Sequence, residues 1–242
     1  MGRAFRGSLL SATLLATAMA TTPVAAEAQM PTRLPAGVET TASAALLRAI
    51  DLYTGVAGRV DDDEARRLLE GAAADRGAVL ARMWIARVHS RGRMTFPRDE
   101  ARARALGAEL LPTIRDLAAA GDVEAAFLMG TAYDEGLGVA VDYLEAMRWY
   151  RRAARRGHVL AVHNIGNMYR DGRGVDENPP AAIRWWSRAA RAGDAIPALR
   201  LGEAFERGWG VDASAEQARF WYGQAAERGN EAAAEGLRRL PR

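Results

Sequence analysis

The sequence predicts an all-α protein: a right-handed α-solenoid of about five helix-turn-helix repeats, with a 36-residue period and a C-terminal capping helix. Three observations carry that prediction. One ten-residue frame is written three times, as "GTAYDEGLGV" at 130–139, "GNMYRDGRGV" at 166–175 and "GEAFERGWGV" at 202–211, each copy 36 residues after the last. Apolar residues around the frame recur at helical spacing. Asp142, Asn178 and Ser214 stand at equivalent places before a second helix, and all are good N-caps.

The chain begins with a segment that stands apart from the repeats. Arg3 and Arg6 precede an apolar stretch, Leu9–Ala20, and small-residue sites follow at "VAA" (24–26) and "AEA" (26–28). Residues 1–28 therefore read as a cleavable Sec-type signal peptide, cut near Ala26 or Ala28 and too short to span a membrane. The expected location is periplasmic or secreted, with no stable membrane insertion after cleavage. Residues 29–41, with Pro31 and Pro35, read as a linker.

The solenoid is expected over 42–242, with repeats at about 42–77, 78–121, 122–157, 158–193 and 194–229, and a cap at 230–242. In the first repeat Tyr53, Gly58, Ala73, Ala74 and Gly77 keep the register. The second is stretched to 44 residues, and Pro112 is expected to interrupt its second half. In the third, Ala126, Met129, Gly130 and Tyr133 share one helical face, as do Ala146, Trp149, Tyr150, Ala153 and Ala154. Gly121, Gly157, Gly193 and Gly229 close the second helices in a left-handed conformation. Gly130 and its equivalents admit close helix approach, the pair at 136 and 138 forms the turn, and Val139 plugs its base. A phosphate loop would need a strand before the glycines and a helix starting at them. Here a helix precedes them, so the glycines are joints.

The frame A-x-x-(L/M/I)-G-x-x-(Y/F)-x-x-G-x-G-V, followed by A-x-x-W-(Y/W)-x-x-A-A-x-x-G, resembles the Sel-like repeat (SLR) family, a relative of tetratricopeptide repeats. The match is close across 121–229 and degenerate across 42–120, where Leu69 replaces the Trp and His89 the Tyr. The resemblance implies a binding scaffold. Similar exported bacterial proteins restrain a sensor kinase, help assemble exopolysaccharide secretion machinery or engage host proteins.

Composition narrows the chemistry. Cysteine is absent, and all 33 basic residues are arginine, which removes thiolate, Schiff-base and P-loop lysine chemistry. Loss of residues 1–28 takes away two arginines and one glutamate, leaving 31 basic against 29 acidic residues, so nothing calls for nucleic acid. Of the three histidines, His89 fills an aromatic slot, and His158 and His163 are five apart, off the spacing that places two ligands on one helical face. No H-E-x-x-H, G-x-S-x-G or S-x-x-K motif occurs. The expectation is a non-catalytic protein with no metal and no cofactor.

Two surfaces are candidates for contact. Unrepeated positions on the first helices hold Phe127, Leu128, His163, Asn164, Asn167, Arg170, Glu203 and Glu206. These form either a protein-binding face or an ordinary solvated one. The second helices carry a basic stripe of Arg148, Arg152, Arg155, Arg184, Arg188 and Arg191. It would suit an acidic polysaccharide or acidic protein loop, or simply place cations near helix C-termini. The expected function is a protein-interaction scaffold that regulates or assembles an envelope protein; the alternative is acidic glycan binding, or hydrolysis, on the arginine face.

Overall fold

The computed structural model describes residues 42–56, 58–75 and 78–240. The expected signal peptide and linker lie outside the described residues, as does Gly77. Among the described residues there are eleven helices and no strand. They pack as five successive hairpins. These are α1 (Ala44–Thr54) with α2 (Asp62–Ala72), α3 (Val79–Arg91) with α4 (Glu100–Ala119), α5 (Val123–Glu135) with α6 (Tyr143–Arg155), α7 (Val159–Asp171) with α8 (Pro179–Arg191), and α9 (Ala195–Arg207) with α10 (Ala215–Ala226). A single helix, α11 (Glu231–Arg239), packs on α9 and α10. This is a helical solenoid of repeats.

The caps form as the spacing predicts. Asp142 Oδ1 accepts from the backbone N–H of Leu144 and Glu145 at 3.0 Å, and Asn178 Oδ1 accepts from Ala181 at 2.9 Å. Ser214 Oγ accepts from Gln217 at 3.2 Å. Each such cap stabilises its helix by about 1 kcal/mol. Gly136, Gly172 and Gly208 end the first helices with φ near +70°, the left-handed geometry an L side chain resists.

Gly130, Gly166 and Gly202 are joints in the strict steric sense. A methyl group on them would lie 2.5, 2.4 and 2.4 Å from Tyr150, Trp186 and Tyr222 respectively. These three aromatic residues are the buried anchors of their hairpins. The second glycine of each turn supplies the conformational freedom expected of it, with φ of +75°, +67° and +70° at Gly138, Gly174 and Gly210, and it also admits a close contact that a side chain would block. A methyl on Gly174 would fall 2.4 Å from the Tyr143 carbonyl oxygen, and one on Gly210 would fall 2.7 Å from Pro179. Each turn is thus seated on the first residue of the preceding unit's second helix. The apolar plug of the first such turn is Leu137, fully buried, while Val139 is only half-buried.

Pro112 does not interrupt its helix. α4 runs unbroken for 20 residues, against 13 in α6. Pro112 and Ala108, whose carbonyl loses its partner, both face solvent, so water can satisfy the freed group. The added length lies at the N-terminal end of α4. Gly138 rests on Gly107 and Ala108 there, well inside the helix, whereas its counterparts rest on the first helical residue. The second unit therefore carries about two extra helical turns.

Candidate binding groove at the fourth helix pair

The burial of the first helices changes along the chain. α5 packs against α3 and α7 as well as α4 and α6, so all its residues but Val123, Tyr133 and Glu135 are buried. Phe127 and Leu128 are fully buried. Phe127 lies between Trp84, Tyr150 and His158, with ring centroids at 5.7, 5.9 and 4.4 Å. The expected exposure of these two residues is corrected: apolar side chains at those positions serve the junction with α3, not a partner.

His163 is also withdrawn from the surface. Its Nδ1 lies 2.9 Å from Asp194 Oδ2, and the Asp194 carboxylate is wholly buried at the N-cap of α9. The pair ties the fourth unit to the fifth. Asn167 Oδ1 accepts from Trp186 Nε1 at 3.1 Å, so Asn167 positions that indole. Asn164, Arg170, Glu203 and Glu206 are half-buried.

Arg170 and Glu203 do come together, in a cleft of about 470 Å³ between α7 and α9. Its floor is two indoles, Trp186 and Trp209, 5.6 Å apart and inclined by 31°. The Arg170 guanidinium stands 5.9 Å over the Trp186 ring and pairs with Asp171 through Nε and Nη2, at 2.5 and 2.9 Å. Burial opposes ionisation of Asp171, yet the Arg170 and Arg173 guanidiniums hold its carboxyl below the usual range. Across the cleft Arg200 Nη1 donates to Glu203 Oε2 at 2.9 Å. Arg207 and Glu177 complete the rim. The cleft falls where the apolar core divides. One buried cluster runs from α1 as far as Ala189, and a second starts within α8 with Ala182 and Trp186.

Glu206 lies outside the cleft. It accepts from Tyr222 Oη at 2.6 Å and from Arg239 of α11 at 2.8 and 3.0 Å. Those hydrogen bonds, from Arg239 first and Tyr222 second, hold its carboxyl below the ordinary value.

The basic stripe is partly absorbed into the fold. Arg152 Nη2 donates to the Ala119 carbonyl at 3.3 Å, and Arg188 Nη2 donates to the Ala154 carbonyl at 3.1 Å. The same two guanidiniums lie 5.3 and 5.7 Å over Trp149 and Trp185. Arg148 pairs with Glu145. Arg155, Arg184 and Arg191 are exposed.

A buried polar network at the junction of the second and third units was not foreseen. Trp84 Nε1 donates to Glu124 Oε1 at 2.7 Å, and Glu124 Oε2 meets His158 Nε2 at 3.0 Å. Nearby, Arg93 Nη2 donates to Glu135 Oε1 at 2.6 Å. Arg87, fully enclosed, lies 4.4 Å over Trp84. Its Nε and Nη1 have no hydrogen-bond partner among the described residues. His89 is a packing residue: buried, edge-on to Phe96 at 5.2 Å, with Nδ1 2.9 Å from the Pro97 carbonyl. Among the described residues no group of acidic residues and histidines is arranged to hold a metal. No described helix is long and apolar enough to cross a membrane.

Comparison with known proteins bears on this geometry. The family model described as the Sel1 repeat matches residues 123–158, 159–194 and 198–230, which are the hairpins α5/α6, α7/α8 and α9/α10. No curated protein matches the chain. Among solved structures, the chain is 28% identical to c5321, described as a protective antigen present in uropathogenic Escherichia coli strains displaying an SLR fold. That match has a TM-score of 0.52 and covers 82% of this chain and 48% of the other. It is 31% identical to a Sel1 repeat protein from Oxalobacter formigenes, with a TM-score of 0.52, covering 75% of this chain and 50% of the other. The chain thus spans about half the length of these two solved structures. Three consecutive hairpins fit one repeat, and both solved neighbours share the architecture: the chain carries Sel1 repeats on an SLR-type helical solenoid.

Proposed function

We propose that the protein is a non-catalytic interaction scaffold, exported to the bacterial periplasm, that holds an envelope protein and regulates or assembles it. The observation that carries this reading is the cleft between α7 and α9. It joins an aromatic floor to a charged rim, the composition of a protein-recognition hot spot. Export is supported by the charged and apolar pattern of residues 1–20 and the small-residue sites that follow. The glycan reading has less support, because Arg148, Arg152 and Arg188 already have partners within the fold.

The test is cross-linking in living cells with the mature protein tagged at its C-terminus, followed by mass spectrometry. One dominant envelope protein is expected, lost when Arg170→Glu and Arg207→Glu are combined while helicity by circular dichroism is unchanged. Recovery of the protein alone overturns the reading, whereas capture indifferent to the double substitution overturns only the placing of the contact in this cleft.

A further inference from the structure

The cleft exists because one latch of the solenoid is missing. At the junction of the third and fourth units, Asp134 of α5 pairs with Arg173, the residue after the left-handed Gly172. Tyr150 Oη lies 3.4 Å from the same carboxylate. At the end of the fifth unit, Glu206 occupies the register of Asp134 and Tyr222 that of Tyr150, and Arg239 of α11 supplies the cation. In both places an acid at the end of a first helix is closed over by an arginine and a tyrosine.

Between the fourth and fifth units all three partners are replaced. The acid becomes Arg170, the arginine becomes Trp209 and the tyrosine becomes Trp186. The indole cannot present a phenol, so Asn167 takes its N–H instead. Among the described residues no acid, arginine and tyrosine close over this position as they do at Asp134 and Glu206, and an open cleft of about 470 Å³ stands there. The charge at the register has been inverted, so the group that would close this junction is an anion. Asp171 occupies Nε and Nη2 of Arg170, which leaves Nη1 without a hydrogen bond among the described residues, and Arg207 also has none.

Resting on the scaffold reading above, we infer that this junction is a receptor for a carboxylate-bearing peptide segment of the partner. One Asp or Glu side chain engages Arg170, and an adjacent apolar or aromatic residue lies on the Trp186 and Trp209 rings. The incoming acid takes the part that Asp134 and Glu206 play at the flanking junctions. A peptide fits this rim better than an acidic polysaccharide does. Glu177 and Glu203 stand beside the arginines, and a polymer with a charge on every sugar would be repelled where a single acid next to an apolar group is not.

The probe is a set of fluorescein-labelled peptides of about ten residues, each with one Asp or Glu beside Phe or Leu, and each paired with its Asn or Gln isostere. They are titrated into the whole mature chain and read by fluorescence anisotropy. At least one acidic peptide is expected to bind about tenfold more tightly than its neutral twin, the scale of a charge-assisted hydrogen bond. Arg170→Gln should bring that preference below about twofold. The double substitution Arg170→Asp with Trp209→Arg, which installs the neighbouring latch, should abolish binding while helicity is retained. Equal affinity for acidic and neutral peptides, no binding by any peptide, or preferential binding of an oligouronate overturns the inference. Failure of the two proposals is distinguishable. If the envelope partner is still captured in cells by the latched variant, the scaffold stands and this site falls. If peptides bind as expected while wild-type protein captures nothing in cells, the site stands and the scaffold falls.

Discussion

Arg188 donates from Nη2 to the carbonyl oxygen of Ala154 at 3.1 Å, joining the second helix of the fourth unit to the C-terminal turn of the third unit's second helix. Arg152 makes the corresponding bond to Ala119 one unit earlier. A cation beside the unsatisfied carbonyls of a helix end is favourable both as a donor and through the helix dipole. Stacking on Trp185 holds the guanidinium plane in place.

Arg188→Ala should therefore destabilise the protein by about 1 kcal/mol, a fall in Tm of about 2–4 °C for a chain of this size. Arg184→Ala, which removes an exposed arginine of the same helix, should leave Tm within about 1 °C. Thermal unfolding by circular dichroism separates the two. Equal effects would show that the stripe acts only through its summed charge.

The helical glycines divide by what surrounds them. A methyl on Gly166 would sit 2.4 Å from Trp186 Cδ1, whereas one on Gly223 in α10 meets nothing within 4 Å. Gly166→Ala should cost about 1–3 kcal/mol through overpacking. Gly223→Ala should stabilise by about 0.5–1 kcal/mol through helix propensity alone. Urea titration of the two variants should move the midpoint in opposite directions.

The glycines also show how far the residues alone could be read. The frame revealed the hairpins and their caps because each solves a local problem that chain chemistry states directly. A glycine must stand where a ring crosses, and a short polar side chain where a helix begins. The burial of Phe127 was not legible, since it depends on Trp84, 43 positions away in an irregular unit. The network around Arg87 and Glu135 was hidden for the same reason. The cleft could have been anticipated. Asp134, Arg170 and Glu206 share one register, and the sign inversion at Arg170 marks the junction that differs. The second half of the signal, Arg173 against Trp209, lies just after the left-handed glycine, where the turn conceals that its side chain reaches the preceding unit.

The loop before α4 holds backbone strain. Thr95 has φ of +57° and the preceding Met94 +50°, both in the left-handed region that disfavours L side chains, a β-branched one most of all. Thr95 is exposed, and its carbonyl accepts from Arg66 Nη1 at 3.0 Å, a bond independent of its side chain. Asn tolerates this conformation better than Thr, so Thr95→Asn should stabilise by about 0.5–1 kcal/mol. Thr95→Val should not stabilise. An unchanged midpoint for Thr95→Asn would mean that the loop relaxes out of the left-handed region at no cost.

Acid should loosen the junction between the second and third units first. Burial of Glu135 would raise its pKa, but the charge of Arg93 and the hydrogen bonds from it outweigh that and hold the carboxyl below its ordinary value. At Glu124 burial is likewise outweighed, here by the neighbouring His158 and then by Trp84. A folded-state pKa below the unfolded one means that the unfolded chain binds more protons in acid. The stabilisation is therefore complete at neutral pH and is lost as pH falls below about 4, through the folded values. Asp134 acts in the opposite sense, since burial raises its carboxyl despite Arg173. The comparison is accordingly made between wild type and one substitution. Glu135→Gln leaves the half-buried Arg93 against a neutral group and should cost about 1–3 kcal/mol at pH 7. It should also remove part of the acid dependence, so its Tm declines less steeply than that of wild type between about pH 5 and pH 3. Parallel curves for the two proteins would show that Glu135 keeps an ordinary pKa and that acid acts elsewhere in the fold.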